Sequence, residues 1–402
     1  MAFLYKDNKL MLNNFDVTKF CEAQQQACYF YDVDEILKRL ELFKAHLPAK
    51  QSIHYAMKAN SNTVILKSIA ELGLGVDVVS GGELSLALNC GFKAEDIVFS
   101  GVGKTHKEIE LALNSKIKQI NVESPQELLR ISEIAKKMNV VASVALRMNP
   151  DVDPDTHPYI KTGFRDNKFG MDSSFLPELK SILLNNKENL SLRGLTIHIG
   201  SQIVDLNSFK DAIDKTKLVY NELAHAGLKM TTFDVGGGLG MSYEKQNYES
   251  DYERIQKYCD VVKESLKDLD IEVLVEPGRI VTARAGILLT QVEYIKSSPY
   301  KNFAIVNTGM HHLMRPCLYQ AHHEIKPVSY SSKKPMLYDV VGPICESSDV
   351  LGYDRLMPEL QQGEWLSIFD TGAYGFAMAN TYNCHDLPLE FCYKNGELIT
   401  SH

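Results

Sequence analysis

The stretch SIHYAMKANSNTVILKSIAELGLGVDVVSGGELSLALNCGFKAEDIVFSG, residues 52–101, decides the fold. Short apolar runs (SIHYAMK, GVDVVS, DIVFSG) alternate with longer amphipathic segments (NTVILKSIAELGL, GELSLALNCGF), the pattern of parallel strands joined by helices. The alternation continues to about residue 275 through QINVES, ASVALRMNP, LRGLTIHIGSQ, MTTFDVGGGLG and EVLVEP, with helical segments such as SPQELLRISEIAKKM between them. About eight strands are predicted, the count of a (β/α)8 TIM barrel. Polar or reactive residues stand where these strands finish: Lys58, Asp77, Arg147, His198, Gly236 to Gly238 and Glu276. Barrel enzymes place their chemistry at that end.

After about residue 280 the pattern changes to GILLTQVEYIKSS, NFAIVNTG, MLYDVVGP and EWLSIFDTG, strand-like runs separated by turns. A second, all-β domain of sandwich or barrel type is expected. The division is set at 30–275 for the TIM barrel and 276–402 for the β domain, joined by residues 1–29, since the strand-like ACYFYD (27–32) packs as readily on the latter. SYSSKKP (329–335) reads as an exposed loop.

With 402 residues and 45% hydrophobic content the chain is long enough for two cores. Its net charge of -8, with 51 acidic and 43 basic residues and no basic run, leaves no footprint for a nucleic-acid partner. The opening MAFLYKDNKLMLNNFD breaks its apolar residues with Lys6, Asp7 and Lys9, and no later run spans a bilayer. A cytoplasmic location without a membrane partner is therefore expected. Eight cysteines without a CxxC pair are expected to be reduced thiols.

Lys58 closes SIHYAMKAN, where an apolar approach would hold an amine partly desolvated, lower its pKa and suit it to carbonyl chemistry; the alternative is a surface lysine at a strand end. Gly236, Gly237 and Gly238 follow the strand TTFDV and let backbone N–H groups approach an anion, or simply make a tight turn. Glu276, in EPGR (276–279) with Pro277 and Gly278, would keep a heteroaromatic nitrogen protonated, or pair with Arg279 in the core. His198 would stack on a flat cofactor or be a satisfied core histidine. Arg279 and Arg315 are forks suited to carboxylates, and Tyr319 falls one helical turn beyond Arg315. Cys345 and Glu346, on the turn VGPICESSD, could deliver a proton and hold an ammonium group, against an inert buried thiol. His311, His312, His322 and His323 share no metal-ligand spacing with thiols or carboxylates, so no metal is expected.

Taken together, YAMKANSN (55–62), GVDVVSGGEL (75–84), NPDVDPDTHPYIKTG (149–163), NKFGM (167–171), HIGSQ (198–202), DVGGGLGMSY (234–243), EPGR, GMHHLMRPCLYQAHHEI (309–325), VGPICESSD (341–349) and GAYGFAMANTYN (372–383) resemble the fold-type III pyridoxal-phosphate decarboxylases, most closely the diaminopimelate decarboxylase family. The resemblance runs in family order over nearly the whole chain. It implies a barrel plus a β domain, pyridoxal 5'-phosphate as cofactor, and a homodimer with Cys345 and Glu346 reaching the partner's site. It further implies Lys58 as the aldehyde-anchoring lysine, His198 as the ring-stacking residue, and Asp77, Ser201, Gly236 to Gly238, Glu276 to Arg279 and Tyr374 as cofactor contacts. Arg279, Arg315, Tyr319, Glu346 and Tyr374 resemble the substrate-binding set, and Cys345 the proton donor. Three positions depart from the family pattern: His312 stands where relatives often carry an acidic residue, Met171 replaces an isoleucine, and Ala283 replaces a glycine.

The implied reaction is decarboxylation of meso-2,6-diaminopimelate to L-lysine and carbon dioxide, the last step of lysine biosynthesis. Ornithine or arginine has no distal carboxylate, and buried arginines would stay unpaired against it. A decarboxylase of ornithine, arginine or carboxynorspermidine, a catalytically silent relative, and an amino-acid racemase remain as alternatives.

Overall fold

The computed structural model describes residues 3–152, 168–241, 243 and 250–401. The part of NPDVDPDTHPYIKTG beyond Val152, Asn167 of NKFGM and Ser242 of DVGGGLGMSY lie outside them. Eight parallel strands close into a barrel: Gln51–Ala56, Gly75–Val78, Ile97–Phe99, Gln119–Val122, Ala142–Arg147, Leu190–Thr196, Thr232–Asp234 and Glu272–Val275. Each strand lies beside the next in chain order, and the eighth pairs back on the first through Val273 and Gln51, so no edge is left open. These are the eight runs predicted from the sequence.

The crossover helices start where the sequence supplies caps. Asn62 accepts from the Val64 and Ile65 N–H groups, Ser80 from Glu83 and Ser124 from Glu127, while Thr105 and Ser250 form capping boxes with Glu108 and Glu253. These caps pair first-turn donors and fix the loops between strand end and helix, whereas Leu176–Asn185 and Asn207–His225 start without a side-chain cap. Inside the barrel, alternation puts Gln119 with Asn121, and Thr232 with Asp234, on common faces. Thr232 Oγ1 donates to Gln119 Oε1, Gln119 Nε2 to Asn121 Oδ1 (2.8 Å) and Asn121 Nδ2 to Ser100 Oγ (3.0 Å), a polar ladder rising to the strand C-termini.

Phe3–Lys6, Lys9–Leu12 and Phe15–Asp16 form a small antiparallel sheet, and the chain beyond the barrel, with Cys28–Asp32, builds a nine-stranded sheet around the long strand Gly286–Ser297, which pairs with Asn302–Val306, Trp365–Ile368 and Cys28–Asp32. Cys28–Asp32 sits between that strand and Leu389–Lys394, and so runs past the boundary expected at residue 30. The first barrel helix, Val33–His46, begins directly after it, capped by Asp32. The sequence reading did not name the strands Phe3–Lys6, Lys9–Leu12, Val350–Pro358, Leu389–Lys394 and Glu397–Ser401. Val350–Pro358 lacks a clean alternation because register shifts interrupt its pairing with Pro335–Val341.

The two units share one core. Tyr29, Tyr31, Leu288 and Ile368 of the sheet pack in the same apolar cluster as Met57, Val275 and Ile280 of the barrel. At the seam, Gly372 lies so close to the helix Arg279–Thr282 that a Cβ would overlap the Thr282 carbonyl oxygen and the Gly286 amide. Gly372→Ala should therefore lower stability by about 1–3 kcal/mol through overpacking against backbone. Gly103→Ala, with nothing within 4 Å of its Cβ position, should stay within about 0.5 kcal/mol. Urea unfolding midpoints of the two variants check this, and equal midpoints would contradict it.

Candidate active site

Lys58 lies in the single turn Met57–Ala59 that ends the first barrel strand, and Asp77 ends the neighbouring strand. The parallel register pairs Ala56 with Asp77, which brings the Lys58 Nζ to 2.9 Å from Asp77 Oδ2. Burial alone would depress the amine's pKa, as the sequence reading expected. The charges of Asp77 and Glu276 overcome it and raise the pKa above the ordinary lysine value. The expected lowering is thus corrected: the sequence reading weighed the apolar approach but not the carboxylate one strand away.

The turn carrying Lys58 is held from both sides. The Ala56 N–H donates to the Pro277 carbonyl, the Tyr374 N–H to the Ala59 carbonyl (2.8 Å), and Asn60 Nδ2 to the Gly372 carbonyl (3.0 Å). EPGR and GAYG therefore meet across Lys58 although nearly one hundred residues separate them in sequence.

Glu276 and Asp234 are buried side by side next to Asp77. Burial first, then the Asp234 and Asp77 charges, pushes the Glu276 carboxyl well above the usual range. Asp234, raised by burial to about 6, accepts the Gly236 N–H at 2.9 Å. Glu276 Oε1, Asp234 Oδ2 and Asp77 Oδ1 have no hydrogen-bond partner among the described residues. A protonated ring nitrogen would meet both needs, supplying a donor and a positive charge. The alternative pairing of Glu276 with Arg279 is not what forms: Arg279 Nη2 donates to Ser201 Oγ (3.0 Å) and Nη1 to Tyr243 Oη (3.0 Å).

The triple glycine packs where only glycine fits. Cβ atoms on Gly236, Gly237 and Gly238 would overlap the carbonyl oxygens of Ile197, Glu276 and Gly200, and the φ values of 69° and 107° at Gly236 and Gly238 are left-handed. Two of the three N–H groups are used internally, Gly236 by Asp234 and Gly237 by His198 Nδ1 at 3.2 Å. Among the described residues the Gly238 N–H has no partner, so the anion-binding expectation for the three narrows to Gly238. The bond from Gly237 leaves the His198 proton on Nε2, and burial, with the charges of Lys58 and Arg147, keeps the ring neutral. A flat neutral ring suits stacking under a heteroaromatic cofactor.

These groups open on one cavity of about 470 Å³, lined by Lys58, His198, Ser201, Glu276, Arg279, Tyr319 and Tyr374. Tyr374, with a left-handed φ of 56°, presents its ring to the Arg279 guanidinium, 4.7 Å from the centroid. Arg315 and Tyr319 occupy one short helix, Arg315–Tyr319, as their spacing predicts. Arg315 lies over the Tyr243 ring, 4.8 Å from its centroid.

The residues 33–283 match the family model of the pyridoxal-dependent decarboxylase, pyridoxal binding domain. The chain is 40% identical over 394 residues to the diaminopimelate decarboxylase of Aquifex aeolicus, covering 98% of this chain and 93% of that one. It is 44% identical over 331 residues to the Vibrio cholerae diaminopimelate decarboxylase, covering 82% and 78%. Among solved structures, that of the Helicobacter pylori diaminopimelate decarboxylase complexed with L-lysine superposes with a TM-score of 0.90 at 38% identity, covering 96% and 95%. The chain belongs to the diaminopimelate decarboxylase family.

Pyridoxal phosphate, the cofactor of this family, fits what stands here: an amine at a strand end, unpartnered buried carboxylate oxygens, a neutral ring and a glycine turn with a spare N–H. Two residues of the resemblance are not brought together with the rest. Cys345 and Glu346 are exposed and do not line the cavity of their own chain. Glu346 instead accepts from Tyr382 Oη (2.5 Å) and Ser348 Oγ. Conversely, sequence reasoning missed Tyr243 and Phe169. Tyr243 follows the glycine turn within a matching motif, which was the signal available; Phe169 lies in NKFGM, and the Arg147 guanidinium stands 5.0 Å from its ring centroid.

The loop carrying Cys345 hangs on Asp349. Its Oδ1 accepts the Met310 N–H (2.6 Å) and its Oδ2 the Ile344 N–H (2.8 Å), while Gly309 and Gly342 leave no room for a Cβ beside the carboxylate. Asp349→Ala should destabilise the chain by about 2 kcal/mol by orphaning buried donors. It should also speed hydrogen exchange at Met310 and Ile344 above other buried amides, as read by exchange mass spectrometry. Unchanged exchange at both would show that the loop is held elsewhere.

Proposed function

We propose that this protein decarboxylates meso-2,6-diaminopimelate to L-lysine and carbon dioxide with pyridoxal 5'-phosphate as cofactor. The observation that supports it most directly is Lys58 set against Asp77 and Glu276 at the mouth of the barrel, in a chain of the diaminopimelate decarboxylase family. When bound, the cofactor supplies a covalent hold on the substrate amine and a ring that draws the electron pair from the breaking Cα–carboxylate bond.

The chain's own residues divide the remaining work. Lys58 Nζ would be the amine that holds the cofactor's aldehyde, and Asp77 Oδ2, 2.9 Å away, steadies it. The Glu276 carboxylate would hold a proton on the ring nitrogen and so keep the ring an effective electron acceptor. His198 would stack on the ring, and the Gly238 N–H with Tyr374 would hold the phosphate. Ser201 orients Arg279.

Arg279, Arg315 and Tyr319 take the carboxylate that the substrate keeps. A guanidinium pair on the departing carboxylate would stabilise the ground state and slow its loss, so the pair serves the distal end, where it also selects diaminopimelate over ornithine. Glu346 would hold the distal ammonium group, and Cys345 Sγ would deliver the proton to Cα. Because both are exposed and outside the cavity of their own chain, the reading is a homodimer in which each protomer supplies them to the other's site.

Three expected outcomes test this reading. Carbon dioxide release should be at least about a hundredfold faster from diaminopimelate than from ornithine or arginine at equal concentration; preference for ornithine would overturn the substrate. Borohydride should fix cofactor mass on the wild-type chain and not on Lys58→Ala, which should also release no measurable gas. Mixing and reassembling inactive Lys58→Ala and Cys345→Ala chains should restore about one quarter of wild-type activity, one good site in each mixed dimer. No recovery from folded mixed dimers would place Cys345 in its own protomer's chemistry.

A further inference from the structure

His323 is fully buried eight residues beyond Arg315, and its two ring nitrogens have partners that leave no choice of tautomer. Nδ1 lies 2.8 Å from the Phe369 carbonyl oxygen, which can only accept, so Nδ1 carries the proton. Nε2 lies 2.8 Å from Arg315 Nη1, and a guanidinium can only donate, so Nε2 must be bare. A doubly protonated ring would set N–H against N–H. The two contacts independently demand the same neutral ring, and burial together with the Arg315 charge depresses the imidazole's pKa in keeping with it.

The guanidinium thus gains a fixed acceptor without losing its charge. The Tyr243 ring lies under it, its Nε has no partner among the described residues, and the neighbouring charge that acts on it is that of another cation, Arg279. Tyr243 stacks edge-on against His323, ring centroids 5.5 Å apart, and accepts from Arg279. A carboxylate in the place of His323 would hold Arg315 more strongly but would cancel the charge that a substrate carboxylate needs.

We propose that His323 is a positioning residue for the substrate's retained carboxylate: its bare Nε2 locks Arg315 on the Tyr243 face beside Arg279 while leaving the charge of both guanidinium groups available. The inference rests on the assignment of Arg315 to that carboxylate. It concerns recognition of the carboxylate and leaves the bond-breaking step untouched.

The test compares His323→Asn, which keeps a donor for Phe369 but falls short of Arg315, with His323→Gln, whose Oε1 reaches Arg315 as an acceptor. In His323→Asn the KM for diaminopimelate should rise about tenfold or more, the loss of a hydrogen bond to a charged group, with kcat within about twofold. His323→Gln should recover most of that loss. Calorimetric titration of the holoenzymes supplies a readout free of turnover. L-lysine, which has a carboxylate, should bind His323→Asn about tenfold more weakly, while 1,5-diaminopentane, which has none, should bind both variants as it binds wild type.

Equal weakening of both ligands, or no recovery in His323→Gln, makes His323 a merely structural residue and overturns the proposal. So does unchanged L-lysine binding in His323→Asn. If wild-type protein releases no carbon dioxide from diaminopimelate, the substrate reading fails by itself, and the L-lysine and diaminopentane comparison still decides on His323.

Discussion

The barrel mouth buries three carboxylates, Asp77, Asp234 and Glu276, around a single ammonium group, Lys58. Each uncompensated charge taken from water costs several kcal/mol, so the chain alone satisfies this group only by keeping a proton among the carboxylates. The raised pKa values of Glu276 and Asp234 are that proton. A cofactor with a cationic ring nitrogen would replace it with a charge that stays, leaving Glu276 as a full anion. Binding and activation of such a cofactor would then be one electrostatic event, set up by strand ends that no local helix or turn propensity would place together.

Such a cluster acts only if its geometry holds. The Lys58 turn is tied to EPGR and GAYG by backbone hydrogen bonds, which are insensitive to side-chain rotamers. Beneath the seam, Asp251 receives Arg39 (2.9 Å) and Arg284 (2.6 Å), and Arg39 also donates to the Ile280 carbonyl (2.7 Å). That buried network joins the first barrel helix, the last, and the segment leading into the β domain. An ion network of this kind contributes registry more than stability. Registry is what a site shared between two units requires.

The barrel was legible because each strand is a short apolar run ending in a polar residue, and eight of them appear in order. The β domain was less so: strands such as Val350–Pro358 alternate weakly, and Cys28–Asp32 adds to a sheet whose partner strands, Gly286–Ser297 and Leu389–Lys394, stand far along the chain. Within the candidate site, residue types at strand ends pointed to Lys58, Asp77, His198 and Glu276, and the fold gathers them: three line one cavity and Asp77 pairs with Lys58. The sign of the Lys58 shift was not legible, because it depends on register, Ala56 opposite Asp77. Neither was the internal use of the Gly236 and Gly237 amides, nor Tyr243, whose contacts with Arg279 and Arg315 exist only once the sheet has folded onto the barrel.

Partner chemistry separates the arginine that builds the site from the two proposed to bind the substrate carboxylate. Arg147 donates to Glu123 at 2.5 Å, and the other oxygen of Glu123 accepts the Gly170 N–H at 2.8 Å. Its charge is spent inside the protein, on fixing the segment that carries Phe169 to the cavity wall. Arg279 and Arg315 are equally buried, yet their partners among the described residues are a serine hydroxyl, tyrosine hydroxyl and ring faces, and a neutral imidazole. Burial and the neighbouring Arg279, opposed by Tyr243, lower the pKa of Arg315, the mark of a cation lacking its counter-charge. Arg279, which lines the cavity, and Arg315 beside it, neither paired with a carboxylate among the described residues, would make an apolar or cationic substrate tail costly and a carboxylate favourable. Specificity then comes as much from the carboxylates the chain withholds from these two arginines as from the donors it offers.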